Sequence, residues 1–471
     1  MALNYRPLPT ILGLLLTSSL CSAQEWPGFR GPARNGVADS ASPPVEWTAT
    51  QNMAWRTALP GPGASSPVVA GEYIFLTCYS GYGVSEDAGE MDGLERHLVC
   101  LSRETGEVLW TATVASANAE ASVDSMARDH GYATPTPVTD GEQVYVYFGR
   151  SGVHAYDLKG QPVWEVGVGE GVKPEDISTP PATGERPSGG ERGGERGQWR
   201  GGWGGGGAGG RGGGMAWGSA ASPLLVNKLL IIPAGDPSSS LRALDTSSGT
   251  EVWKIESPKL KDEKSSPILV GPADKQVLVV AVDGEVWGLD PRTGAKLWTV
   301  ETDGRGGPNA TPVSEDGLVF VSGGMGGLST AIRAGQLSEE DESRVAWESR
   351  QAAGISSPVM HSGILYIVDR RGLVVRMDTA SGETLEKGGS TERLSGGVYA
   401  SPIIAGDRLY VISREGRALV YSTSDAFELL GSSQFVDDSR FNASPAIVDG
   451  ALYVRSDKYI YCIRAQEQGA K

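Results

Sequence analysis

The chain has 471 residues, 66 of them glycine, and a formal net charge of −16. That acidity excludes a surface built to hold nucleic-acid phosphates and reads instead as a solubility feature. Glycine at about twice its usual share, scarce helix-forming runs, and short Val/Ile/Leu/Tyr stretches between turn residues select β structure.

At the N-terminus Arg6 supplies a positive flank, Ile11 to Leu20 an apolar run, and Cys21-Ser22-Ala23 a small-residue cleavage site. Residues 1–23 are therefore expected to be a signal peptide and the protein to be periplasmic or secreted. The apolar run is about half of what a bilayer span needs, and no later stretch is long enough to serve as a transmembrane segment. A lipid anchor on Cys21 is the weaker reading, because bulky Leu20 precedes it. Residues 24–51 read as an N-terminal extension.

From Ser66 onward a Ser/Thr-Pro step followed by an aliphatic residue recurs eight times. Its prolines are Pro67, Pro137, Pro223, Pro267, Pro312, Pro358, Pro402 and Pro445. The spacings are 70, 86, 44, 45, 46, 44 and 43 residues, a unit of about 44 with two enlarged copies. Each unit carries a short strand (SSPVV, ASPII), a Gly/Asp turn (AGEY, AGDR), a second strand (YIFLT, RLYVIS), a third (HLVCLS, EVWGLD) and a fourth. The fourth strand ends in Trp110, Trp164, Trp253, Trp298 or Trp347. Units of four short antiparallel strands mark β-propeller blades, so the expected fold is all-β with eight four-stranded blades spanning 52–465. The prolines fit this fold, since a residue without an N–H suits the strand bordering the channel.

GLDPRTGAKLW (288–298) shows the third-to-fourth hairpin most clearly. Asp290 and Gly294 recur as Asp245 and Gly249, and as Asp378 and Gly382. The aspartate can bond the turn's own backbone, the glycine takes the positive φ of a bulged hairpin, and the tryptophan can pack on the next blade. Five copies around a ring are architecture, not one cofactor site. The eighth unit supplies only three strands before the tail at 466–471. Residues 52–59 (NMAWRTAL, with Trp55) are expected to complete it and clasp the ring.

The four histidines, His97, His130, His154 and His361, give no metal spacing. Cys78, Cys100 and Cys462 form no CxxC, CxxCH or zinc pattern. A Cys78–Cys100 bridge within one blade and free buried thiols both stay open.

Long insertions at Tyr79–Arg96, Thr111–Ala133 and Glu165–Trp217 fall on one face, as second-to-third or fourth-to-first connections of consecutive blades. That is how binding surfaces are built on rigid scaffolds, and also where insertion is cheapest. The third contains a Gly/Arg-rich run, about 182–214. Its Trp199 and Trp203 could stack on bases, but Glu185, Glu191 and Glu195 offset the arginines, and a flexible loop is the expectation. Arg150, Arg370 and Arg414 each stand two residues before a glycine in the second-to-third turn. Three guanidiniums in one slot could hold an anionic ligand, against the competing reading of solvated hairpin charge. His130, just before a channel strand, is a candidate for the channel mouth.

The pattern Ser-Pro, Leu-Asp, Thr-Gly, Leu-Trp, best kept at Ser266–Trp298, resembles the quinoprotein-type (PQQ-like) propeller repeat over about Trp26 to Ile463. The opening WPGFRGPARNG (26–36) is similar to exported PQQ-like repeat proteins. The resemblance implies either a pyrroloquinoline-quinone dehydrogenase with calcium or a non-enzymatic BamB-like propeller. The dehydrogenases carry adjacent cysteines, which this sequence lacks, and no GxSxG, HExxH or phosphate loop is present. The expected function is thus a monomeric, non-catalytic scaffold, with no cofactor, binding an envelope protein or small ligand. The alternative is a quinone-dependent dehydrogenase without the usual cysteine pair.

Overall fold

The computed structural model describes residues 25–38, 42–84, 89–116, 131–168, 220–235, 238–261, 264–303, 309–324, 327–337, 343–369, 371–385 and 392–466. Eight antiparallel sheets form the blades of a propeller. Their innermost strands are Val68–Ala70, Val138–Thr139, Leu224–Val226, Ile268–Val270, Val313–Glu315, Val359–His361, Ile403–Ala405 and Ala446–Val448. Each begins one residue after the proline of the Ser/Thr-Pro step, on the sheet edge where no ladder donor is missed.

Burial follows position in the blade. The second strand of blade four, Val277–Val282 (VLVVAV), is buried at every residue but its first, because both faces of the sheet pack on neighbouring blades. The clasp strand Met53–Ala58 instead alternates half-buried and exposed residues. It pairs antiparallel with Tyr459–Ile463, setting Trp55 opposite Cys462, and so completes blade eight as expected. Blade six shows three strands, with a further bridge from Met377 to Thr384 where the fourth begins.

The Gly–Trp signature proves to be a joint between blades. Trp253, on the fourth strand of blade three, donates its indole N–H to Pro291 O in blade four, 3.1 Å away. Its ring lies under Gly294, whose φ is +71°, and a Cβ there would stand 2.8 Å from the ring. Glycine is thus required twice, by the turn and by the neighbour. The same joint links Trp55 to Gly106, Trp110 to Gly160, Trp164 to Gly249 and Trp347 to Gly382. Blade five lacks the tight turn, and Trp298 is covered there by the Arg344 guanidinium, 5.1 Å from the ring centre. Within the turns, Asp245, Asp290 and Asp378 accept backbone N–H groups at Ser247, Arg292 and Ser381.

One open alternative is decided and one expectation needs correction. Cys78 and Cys100 are not bridged. They lie on adjacent strands, but Cys78 pairs with His97 and Cys100 with Phe75, three positions apart along the ladder. With a side-chain period of two, they face opposite sides of the blade and pack into different core clusters. The insertions also start later than expected. In blade one the strands Tyr73–Ser80, Glu95–Ser102 and Val108–Ala115 are eight residues each, so Tyr79, Arg96 and Thr111 are ladder residues. Glu165 likewise lies within the strand Pro162–Val166.

Candidate ligand cup at the channel mouth

The Ser/Thr of each Ser/Thr-Pro step faces its counterpart in the next blade. Ser66 N–H donates to Thr136 Oγ1 (2.9 Å), and Thr136 N–H to Ser222 Oγ (3.0 Å). The chain of bonds continues through Ser266, Thr311, Ser357 and Ser401 to Ser444 Oγ. Seven such links run around the axis, each satisfying an N–H on the edge strand that no ladder reaches. The eighth is replaced at the seam between blades eight and one, where Ser66 Oγ is buried without a partner. There the fully buried Arg455 bonds Ser65 Oγ (2.9 Å) and Thr77 O (2.7 Å) of blade one.

The N-terminal extension closes one end of the channel. Trp26 bridges to Val69 in blade one, and Pro27 O accepts from Thr139 N–H in blade two. Val37–Ala38 adds a parallel strand to Ile403–Ala405 in blade seven. Between these ends the segment crosses the axis. The Arg30 guanidinium donates to Ser357 O (3.1 Å), Pro358 O (2.6 Å) and Asn35 O (2.7 Å), and Arg34 reaches Leu225 O at 3.5 Å. The backbone contacts of the segment fall along the middle and far ends of the innermost strands, away from the long connections, and Arg30 reaches back along the channel to the start of the blade-six strand.

What remains is a blind cup of about 140 Å³ with Phe29 as its floor. Its wall is the hydroxyl ring, and its rim is the residue two places before each hydroxyl, including Lys264, Asn309, Ile355, Tyr399 and Asn442. Lys264 is the one charged group on the described lining. Burial alone pushes the Arg30 pKa down to about 9. Arg34 keeps some exposed surface but sits deep in the channel, and burial lowers its pKa to about 10. Among the described residues neither has a carboxylate partner; their bonds go to carbonyl oxygens.

The sequence-derived candidates are divided by the structure. Arg414 is not on the cup's lining but backs two of its rim residues, with its guanidinium carbon 3.9 Å above the Tyr399 ring and its Nε donating to Asn442 Oδ1 at 3.0 Å. Arg150 sits half-buried in the 3-10 turn Gly149–Ser151 of blade two and does not line the cup. Arg370 and His130, like the Gly/Arg-rich run, lie outside the described residues. The expected trio of guanidiniums is therefore not assembled among the described residues. Sequence reasoning missed Phe29, Arg30, Arg34 and Lys264. The signal available was the WPGFRGPARNG segment, too rich in Gly and Pro for a strand yet carrying large side chains worth burying.

The cup's described lining does not suit calcium-bound pyrroloquinoline quinone. Calcium takes six to eight oxygen ligands with carboxylates prominent, and no carboxylate is on that lining, where Lys264 adds positive charge. Among the described residues no group of three His, Cys, Asp or Glu is placed to hold a metal ion, and no helix is long and apolar enough to cross a membrane.

A family model described as outer membrane protein assembly factor BamB matches residues 44–179, 215–388 and 370–471. A BamB of Legionella pneumophila is 24% identical over 207 residues, 42% of this chain and 49% of that protein. The match thus spans about half the length of that curated relative. Among solved structures, BamB from Moraxella catarrhalis superposes with a TM-score of 0.55 at 14% identity, over 89% of this chain and 99% of that one. Quinohemoprotein alcohol dehydrogenase from Comamonas testosteroni gives 0.58 at 11% identity, over 95% and 82%. At such identities the two structures share the fold, and the choice between their activities rests on the site.

Proposed function

This chain belongs to the BamB family of β-propellers, and on that premise we propose that it is an exported, non-catalytic scaffold of the periplasm or cell envelope that holds a partner protein on its channel-mouth face. The observation that carries this reading is the asymmetry of the two faces. Blade one extends its strands to eight residues on the mouth side. Above the rim Tyr79, Tyr82 and Tyr132 pack together, with ring centres 5.5 and 5.9 Å apart. The long connections of blades one to three leave from the same side, and the other face carries the plug and short turns, apart from the eleven-residue connection between Ser329–Arg333 and Val345–Ser349 in blade five. Tyr79 and Tyr82 are themselves buried and stiffen this ground from within, and a rigid ring with elaborated ground on one sector of one face is suited to a protein contact.

Site-specific photocrosslinking in the native host separates the faces. A crosslinker at the exposed Val84, on the mouth side of blade one, should give a discrete adduct, while one at Asn227, in a turn on the plugged side, should give none. Equal labelling from both positions, or none from either, would sink the reading. The dehydrogenase alternative shares the fold and makes a different forecast, namely saturable quinone absorbance when the purified protein is titrated with pyrroloquinoline quinone and calcium.

A further inference from the structure

The outermost strand of a blade ends its sheet with a row of unpaired N–H and C=O groups, and proteins blunt such edges with charges, proline or brevity. Most of the described fourth strands follow that rule. Pro162–Val166 (PVWEV), Glu251–Glu256 (EVWKIE), Lys296–Glu301 (KLWTVE), Val345–Ser349 (VAWES) and the clasp Met53–Ala58 (MAWRTA) have five or six residues, and each carries a charge. Leu429–Gln434 (LLGSSQ) is uncharged, but Val45 and Trp47 of the N-terminal extension pack on its Gly431 and Ser433. Blade one departs from the rule. Its fourth strand, Val108–Ala115 (VLWTATVA), has eight residues with neither charge nor proline.

That edge is open to pairing. No strand lies beyond it in the sheet. Ser116 N–H donates inward to Leu94 O at 2.9 Å, and the ladder continues with Val114 opposite Arg96, Ala112 opposite Leu98 and Trp110 opposite Cys100. By the alternation of an antiparallel ladder, Thr111, Thr113 and Ala115 turn their N–H and C=O groups away from the blade. All three residues are exposed, and nothing among the described residues bonds those groups. Val108 and Leu109, 41% and 47% exposed, add apolar surface at the start of the strand. A partner strand laid along this row would extend the sheet, with main-chain bonds supplying the affinity.

Charge selects which strand. The row is bounded at one end by Glu104 and Glu107 and at the other by Asp92 and Glu95, all exposed and none in an ion pair among the described residues. Arg103, beside Glu104, is engaged by Asp449 of blade eight. A second copy of this chain is a poor occupant. Antiparallel pairing about a two-fold would bring the Glu107 end of one strand to the Glu95 end of the other, between chains that each carry −16. Basic residues at both ends of the incoming strand are favourable instead.

We infer that the outer edge of blade one docks an extended segment of another protein, which pairs with Thr111, Thr113 and Ala115 and is uncharged along its middle and basic at both ends. This goes beyond the mouth-face reading, since the contact lies on the outside of the ring and holds whether or not the mouth binds anything.

Fluorescence anisotropy with labelled peptides tests the edge on the purified mature protein. The peptide KTVTITVTK should bind saturably. Its acid-ended counterpart ETVTITVTE should bind at least about tenfold more weakly, because repulsion replaces attraction at both ends. KTVTPTVTK keeps the charge but breaks the strand with proline, and it too should be at least about tenfold weaker. In the protein, Thr111→Lys blunts the edge without touching the inward ladder and should weaken KTVTITVTK about tenfold or more. Val252→Lys puts the same charge on the outer strand of blade three, where Val252 is 51% exposed, and should leave binding within about twofold of the parent. Thermal melting checks the fold of both variants. No saturable binding of KTVTITVTK, equal binding of the proline or the acid-ended peptide, or equal losses in the two variants would overturn the inference. A parent that runs as a dimer, made monomeric by Thr111→Lys, would give the edge to a second copy and overturn it as well. The host crosslinks at Val84 and Asn227 report on the mouth face and are independent of every one of these outcomes.

Discussion

The junction between blades three and four and the junction between blades seven and eight solve one problem with different parts. In the first, Trp253 reaches across to Pro291 O and lies under Gly294. In the second, the register position of the tryptophan is held by Gly431, the first residue past the bulge opposite Val420. No tryptophan is useful there, because the receiving blade has no third-to-fourth turn; its fourth strand arrives from the other end of the chain. The N-terminal extension fills the gap. Val45 O stands 2.4 Å from where a Gly431 Cβ would be. Trp47 is buried against Phe435 with ring centres 5.5 Å apart, and its backbone N–H bonds Ser433 Oγ at 2.9 Å. Blade six carries no tryptophan on its fourth strand either, and there Arg376 reaches Asp425 O (3.1 Å) and covers the Phe427 ring (5.0 Å) of blade seven; at the junction beside the ring's closure a non-repeating segment supplies the aromatic ring instead.

The sharpest way to break this comparison is to remove residues 1–59, which deletes both the clasp and the filler. Blade eight is left with an unpaired edge and the seven–eight junction with an open core. The expected result is loss of cooperative melting and association on a sizing column; a monomer melting as the parent does would refute the closure. Next in size, Trp253→Ala should cost about 3–5 kcal/mol by denaturant unfolding, as for other large aromatic truncations. Glycines then separate turn strain from the joint itself. Gly450 (φ +73°) meets nothing within 4 Å, whereas Gly294 (φ +71°) meets the Trp253 ring. Gly450→Ala should cost about 1–2 kcal/mol for the left-handed backbone alone, and Gly294→Ala a further 1–3 kcal/mol or so for displacing the ring. Equal losses would show that the ring contact is incidental.

The smallest effect is in acid. The Ser247 hydroxyl holds the Asp245 carboxyl below its usual pKa, the Arg292 side chain does so for Asp290, and the Ser381 backbone N–H for Asp378. A carboxyl depressed in the folded state adds stability above its unfolded pKa, near 4, and loses it as the pH falls through the folded value. Melting temperature should therefore drop slightly below about pH 4, and Asp245→Asn should shrink that drop. A variant with the parent's full acid slope would exclude this turn as a contributor.

Much of the fold was legible because its parts repeat. Eight Ser/Thr-Pro steps gave the blade count, and Trp55 without a partner unit gave the clasp. The candidate site was barely legible. Arg150 and Arg414 occupy equivalent slots in the sequence, yet neither lines the cup and only Arg414 packs on its rim residues, since equivalent slots in different blades differ in what packs beside them. The plug was invisible for the opposite reason. Trp26, Arg30 and Arg34 contact blades one, six and three, over separations such as 327 residues between Arg30 and Ser357, and no local pattern encodes such partners.

Local spacing sufficed for the hairpins, the edge prolines and the tryptophan joints, since each needs only its own blade or the adjoining one. Closing the ring decided the rest. It turned eight hydroxyls read as strand punctuation into a circle around an axis, put Cys78 and Cys100 on opposite sides of a sheet, and let a Gly/Pro-rich leader stop one end of a channel. A cavity on a symmetry axis belongs to every repeat at once, so its charge and depth follow from the assembled ring and from the one segment that does not repeat.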